Sequence, residues 1–187
     1  MISQMLGFAL YVRRPGASGS DWGTGTFFGS VDLALFTGHV INKVDRKGRV
    51  SVPASFRNEL VKLSFPGIVV FPSPDGLAAI DGAGIDWLES LSANFGTTNP
   101  FANKQRKARM ALFSQVERLP FDPEGRVVLT RTLLDHAGIT DSIAFIGMGE
   151  TFQIWQPDQG AAFLDEAIAD APAEFEEMTQ SGPGGES

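Results

Sequence analysis

Apolar and polar positions along this chain switch between a period near two and a period near 3.6, and the switches set out its elements. HVINKV, residues 39–44, reads as a short strand, with a turn at Asp45 and a return strand from Arg49 to Val52. Pro53 suits the first turn of a helix, where its missing N–H costs nothing, with Ser51 or Val52 near the cap. Phe56, Leu60 and Leu63 then give that helix an apolar stripe. IVVFPS, the Pro74-Asp75-Gly76 turn and LAAID form a hairpin. GIDWLESLSANF, residues 84–95, carries Trp87, Leu88, Leu91 and Phe95 on one helical face, and GTTNP ends it.

After Pro100 the pattern restarts. ANKQRKARMALFSQVE predicts a basic helix that buries Ala108, Ala111, Leu112 and Val116 while Lys104, Arg106, Lys107 and Arg109 stay in water. A second strand-turn-strand stretch follows over residues 119–129, then the short helix RTLLDHAGI with Gly138 as its C-terminal stop. SIAFIG, the turn Met148-Gly149-Glu150 and TFQIW make a last hairpin. Residues 160–178 read as acidic helical turns interrupted at Pro172, and SGPGGES as a tail. Each half is thus hairpin, helix, hairpin, helix, and a repeat of this kind marks two copies of a unit that cannot bury its apolar face alone. The two halves are expected to pack as a pseudo-dimer, and the fold class is α+β.

The repeat is sharpest at two turns, VDRKGRVSV and FDPEGRVVL, whose aspartates stand 77 positions apart. Asp45 and Asp122 can accept backbone N–H groups with their carboxylates, and Gly48 and Gly125 can take the positive φ that restarts a strand. Both stretches therefore read as hairpins. A hairpin does not require Arg after its Gly, yet Arg49 and Arg126 hold the same offset.

Charge changes the picture. The net charge of −7 disfavours a nucleic-acid partner only until its distribution is read: residues 161–187 hold seven acids and neither Lys nor Arg. Residues 43–62 carry a local +4, and KQRKAR, residues 104–109, another +4. The first turn, with Arg46, Lys47 and Arg49, is a compact cationic tip where the Gly48 backbone can approach a phosphate. Arg49 can offer its planar fork to guanine O6 and N7, while Lys47 suits a phosphate as a point charge. Asp45 holds the tip and orients Arg49. The competing reading pairs Arg49 and Arg126 with their own aspartates as plain salt bridges, with Glu124 close to the second.

Other chemistry finds less support. Cysteine is absent, which excludes disulfides and thiolate metal sites, and His39 and His136 are the only histidines. No metal or cofactor is expected. An enzyme would have to use Asp45 or Asp122 with His39 or His136, and no nucleophile elbow, phosphate loop or metal spacing accompanies them. Residues 1–35 combine an apolar run too short to cross a bilayer with a Gly/Ser-rich stretch, and read as a disordered extension, the rival being an extra strand or membrane-surface segment.

FTGHVINKVDRKGRVSVPASFRNEL, ARMALFSQVERLPFDPEGRVVLTRTLLDHAGI and SIAFIGMGETFQIW together resemble the MraZ family, transcriptional regulators of bacterial division and cell-wall gene clusters. The resemblance covers about residues 36–160. It implies tandem AbrB-like swapped-hairpin β-barrel repeats with short flanking helices, over residues 36–99 and 100–160, between the extension 1–35 and the acidic tail 161–187. It further implies a cytoplasmic, nucleoid-associated, ring-forming homo-oligomer on promoter direct repeats in double-stranded DNA, neither an enzyme nor a membrane protein. Arg49 and, by the repeat, Arg126 fall on the DNA-facing side, and Lys47 and Gly48 match the family's first motif. Thr130 stands where the second copy usually has Pro, and Gln153 where an acid commonly precedes Ile-Trp. An AbrB-like module that binds protein, as antitoxins of this fold bind toxins, is the alternative.

Overall fold

The computed structural model describes residues 34–97 and 103–180, with side chains described over 34–94 and 106–173. The extension up to residue 33, the Asn99-Pro100 break, the Phe95 and Lys104 side chains, the carboxylates from Glu174 onward and the SGPGGES tail lie outside the described residues. The elements run β1 (His39–Lys43), β2 (Arg49–Ser51), α1 (Ala54–Leu60), β3 (Gly67–Pro72), β4 (Ala79–Ala83), α2 (Ile85–Thr97), α3 (Asn103–Phe113), β5 (Glu117–Pro120), β6 (Arg126–Val128), α4 (Arg131–His136), β7 (Ser142–Gly147), β8 (Thr151–Trp155) and α5 (Pro157–Gln180). The class is α+β with antiparallel pairing throughout.

The two hairpins expected from local pattern alone, β3 with β4 and β7 with β8, form as read. The other two do not close. The Asp45 turn is made, but its arms meet only through the Val44–Val50 bridge. β1 leaves to pair with β7, and β5 pairs with β3, so a six-stranded sheet runs β1-β7-β8-β4-β3-β5. β2 instead pairs with β6 in a separate two-stranded ladder. Each edge strand of the large sheet therefore lies against a strand from the other half of the chain. The reason is burial: in this pairing Val50 and Val127 turn inward together, each 1% exposed, onto the core of the large sheet.

That core gathers Phe36, Phe56, Phe145 and Phe152 with Ile68, Ile80, Ile143 and Ile154. Phe36 meets the rings of Phe56 and Phe152 edge-on at 5.1 and 5.0 Å, the arrangement that aromatic quadrupoles favour. Ala34 is buried in the same cluster, so the fold reaches back at least that far, two residues before the expected start at Phe36. Helix α1 packs Phe56 and Leu60 as its stripe predicts, although Pro53 is its N-cap rather than its first helical residue. The Pro53 carbonyl takes the first helical N–H, from Arg57, at 2.9 Å.

Two helices depart from expectation. In α3, Ala108 and Ala111 are exposed and Met110 is 63% exposed, whereas among the described side chains Phe113 and the following Val116 reach the cluster under α2. A helix with four cations in six residues has too narrow an apolar stripe to lie flat on this body. Helix α5 runs through Pro172 without interruption. Pro172 is exposed, so the Ile168 carbonyl that loses its N–H partner can bond water instead. Its first turns are anchored where Phe163 stacks on Trp155 at 4.9 Å.

Candidate nucleic-acid interface

Each Asp-x-x-x-Arg turn is built by its own carboxylate. Asp45 Oδ1 accepts the backbone N–H groups of Lys47 and Arg49 at 2.8 and 3.0 Å, and its Oδ2 takes Arg49 Nε at 2.6 Å. The turn closes with Gly48 N–H donating to the Asp45 carbonyl at 2.9 Å. The second turn repeats this. Asp122 accepts from the N–H of Glu124 at 3.0 Å, the N–H of Arg126 at 2.8 Å and Arg126 Nε at 2.7 Å. Backbone N–H of Arg49, aided by its guanidinium and the N–H of Lys47, holds the Asp45 carboxyl below its ordinary range. At Asp122 burial pushes upward, but the N–H and guanidinium of Arg126 outweigh it and the net direction is down.

The ladder places the two arginines together. Its register sets Arg49 opposite Val128 and Ser51 opposite Arg126, with Val50 and Val127 between them. Because alternate residues face opposite sides, Arg49, Ser51, Arg126 and Val128 share the outer face while the two buried valines form the inner one. A two-stranded antiparallel ribbon with two arginines on its outer face has the width and chemistry to enter a major groove.

The arginines are not equivalent. Arg126 is gripped twice, by Asp122 and, through Nη2, by Glu124 at 2.8 Å. The hydrogen bond to Asp122, with the charges of Asp122, Glu124 and Asp45, raises its pKa further. Arg49 is held only at Nε; among the described residues its two terminal nitrogens make no hydrogen bond or ion pair. Arg46 and Lys47 are exposed, and among the described residues neither pairs with a carboxylate. The salt-bridge reading thus describes Arg126 well, and Arg49 in part: its bridge orients the side chain and leaves the fork open.

The glycines serve the turns from inside. Gly48 is buried at φ +77, its N–H spent on Asp45 and its carbonyl on the Leu129 N–H at 2.9 Å, so its own amide is not offered to a phosphate. Gly125, at φ +73, lies under the guanidinium of Arg57, whose Nη1 donates to the Glu124 carbonyl at 3.1 Å. Arg57 belongs to α1, in the other half of the chain. Local reading assigned it no part in a turn, because nothing in sequence marks a contact made across 67 residues. Ser51 and Val128 were missed too; what could have found them is the alternation within RVS and RVV, once β2 is paired with β6.

His39 and His136 make no hydrogen bond to Asp45 or Asp122 among the described residues, and no cluster of three His, Cys, Asp or Glu suited to a metal is found there. No helix among those residues is long and apolar enough to cross a membrane. The basic helix α3 forms a separate surface, with Arg106, Lys107 and Arg109 exposed and Arg109 lying 5.9 Å from the Phe113 ring centre.

Comparison with known proteins agrees in one direction. The family model described as "MraZ protein, putative antitoxin-like" matches residues 112–181. The chain is 42% identical over 123 residues to the transcriptional regulator MraZ of Pelagibacter ubique, spanning 66% of this chain and 79% of that protein. It is 39% identical over 126 residues to the transcriptional regulator MraZ of Rickettsia bellii, spanning 67% and 83%. With the protein of that name from Methylocella silvestris it shares 41% identity over 132 residues, spanning 71% and 80%.

Proposed function

The chain belongs to the MraZ family, and from that premise we propose that it is a sequence-specific DNA-binding transcriptional regulator acting at the nucleoid in the cytoplasm. In this reading residues 36–99 and 100–160 are two AbrB-like swapped-hairpin repeats, followed by an acidic tail over 161–187. The observation that carries it is the outer face of the β2·β6 ladder, with Arg49 pinned at Nε by Asp45 and its terminal nitrogens open, beside the exposed Arg46 and Lys47. A pinned stem lowers the entropy lost when a guanidinium docks on a base edge.

One ladder alone is a weak binder. A single cluster of three cations falls short of the ~10⁻⁸ M affinity usual for specific DNA-binding proteins. Several copies in a closed ring would turn later contacts into intramolecular ones at high effective concentration. The operator of such a ring consists of tandem direct repeats spaced near one helical turn, so that successive ladders meet one side of the duplex. Exposed Met110 on α3 supports a surface for assembly. The measurement is a gel-shift series on the DNA upstream of the gene, with repeats cut to one and spacing changed by half a turn, alongside sedimentation. Sharp loss of affinity in both altered duplexes and a closed oligomer are expected. A monomer that binds one box as tightly as several sinks the ring and the direct repeats.

The antitoxin-like description of the family model favours a second reading, an oligomeric module that binds protein. Salt separates the two, because binding through several phosphates weakens steeply as salt rises.

A further inference from the structure

Val128 stands out on the ladder. It is 52% exposed, although Val50 and Val127 on the inner face are closed off at 1%. An exposed valine among arginines contributes nothing to the core. It lies directly opposite Arg49. The Leu129 N–H donating to the Gly48 carbonyl shows that Arg49 and Val128 form one of the ladder's non-hydrogen-bonded pairs, in which Cα atoms stand about 4.5 Å apart and side chains are closest. The other outer pair, Ser51 with Arg126, has a hydroxyl where this one has two methyls, and its arginine is occupied by two carboxylates.

We propose that Val128 is a specificity-determining residue of this interface, its methyls meeting the C5-methyl of a thymine in the major groove beside the base pair that receives Arg49. The inference rests on the DNA-binding reading above. Asp45 fixes the Arg49 stem at Nε, which sets the distance from the fork to Val128. The spacing of the pair is close to the ~3.4 Å rise between bases, so the two side chains reach the same or neighbouring base pairs. Thymine is the base that presents a methyl in that groove, and apolar side chains are the groups that recognise it. Arg49 then supplies the polar half of the readout and Val128 the apolar half. The Ser51 end of the ladder carries no methyl and is indifferent to thymine.

Replacing thymine by deoxyuridine removes only that methyl. Duplexes of the gene's upstream DNA are made in both forms and titrated with the wild-type chain, Val128→Ser and Arg49→Ala. The wild-type chain is expected to prefer the thymine duplex by about fourfold per methyl contacted, the value of one buried methylene-sized group. Val128→Ser, which installs the Ser51 chemistry at an exposed position, should melt as the wild type does and bind both duplexes equally. Equal binding of the two duplexes by the wild-type chain, or a preference that survives in Val128→Ser, overturns the assignment while Arg49→Ala still reports DNA binding by its loss. A wild-type chain that binds neither duplex overturns the DNA reading and this assignment with it.

Discussion

Gln153 Nε2 donates to Asp81 Oδ1 at 2.8 Å, across the middle of the β4·β8 ladder, while Trp155 Nε1 donates to Gln153 Oε1 at 3.0 Å. The two residues face each other in register where the halves of the chain meet. Gln153 is buried and Asp81 half-buried, so an acid in place of Gln153 would set two carboxylates against each other. The amide gives Asp81 a donor and Trp155 an acceptor at once.

Burial holds the Asp81 carboxyl above the usual carboxylate range, with the Gln153 amide opposing the shift. A raised folded-state pKa contributes stability below the unfolded value that is lost as pH rises through the folded one. Measured by urea melts, the stability of the wild-type chain relative to Asp81→Asn is therefore expected to fall from pH 4 toward neutrality. Gln153→Glu should cost on the order of 1–3 kcal/mol at pH 7 and much less at pH 4. A Gln153→Glu chain equally stable at both would remove the argument.

Arg49→Ala leaves Asp45 bonded to the N–H groups of Lys47 and Arg49, so the turn and the melting temperature should survive. Specific binding should fall by the ~1–3 kcal/mol of a bidentate base contact at each occupied site, and in an assembled ring to near loss. Arg126→Ala should cost less affinity, since that guanidinium is already committed to Asp122 and Glu124. Anisotropy titrations of both variants at several salt concentrations give the comparison; a larger effect at Arg126 contradicts it.

Gly48 and Gly125 predict a ranking. Both have positive φ, which costs a residue with a Cβ about 1–2 kcal/mol. A Cβ on Gly48 would stand 2.5 Å from the Leu129 carbonyl oxygen, which is backbone held in the ladder. On Gly125 it would meet the guanidinium of Arg57, the far end of a flexible side chain that can swing away. Thermal melts should therefore show Gly48→Ala as the more destabilised, with Gly125→Ala costing the φ penalty and the displaced Arg57–Glu124 hydrogen bond.

The acidic helix needs a careful cut. Removing everything from residue 161 would strip Phe163 from Trp155 and confuse stability with charge. A chain ending at Ala169 keeps that stack and sheds Asp170 and the four acids beyond it. It is expected to bind non-specific DNA more tightly at low salt, the difference vanishing as salt rises. Unchanged low-salt affinity would leave the tail as a solubilising segment.

What could be read from the sequence was local. The Asp45 and Asp122 turns, the α1 stripe, the β3·β4 and β7·β8 hairpins and the Gly138 stop at φ +62 all depend on residues a few positions apart. What could not be read was partnership. Nothing within HVINK says that its neighbour is SIAFIG rather than the RVS that follows it, because either pairing satisfies the same alternation. Hence Gly48, read as a phosphate approach, proved to be interior, and Val128 and Arg57 joined the turns only through strands and helices from the opposite half. Gln153 is the same kind of case: its task depends on Asp81, 72 positions away.

The pairing of β1 with β7 sets an order of events during synthesis. His39 meets Ile146, more than a hundred residues later in the chain. At roughly 5–20 residues per second the first strand leaves the ribosome many seconds before its partner exists. Through that interval β1 has neither edge paired, and neither half can complete its sheet by borrowing from itself. Maturation of this protein is thus gated by its last hairpin. By the same logic, a gene severed between α2 and α3 should yield two fragments that are each unfolded alone and that fold when mixed.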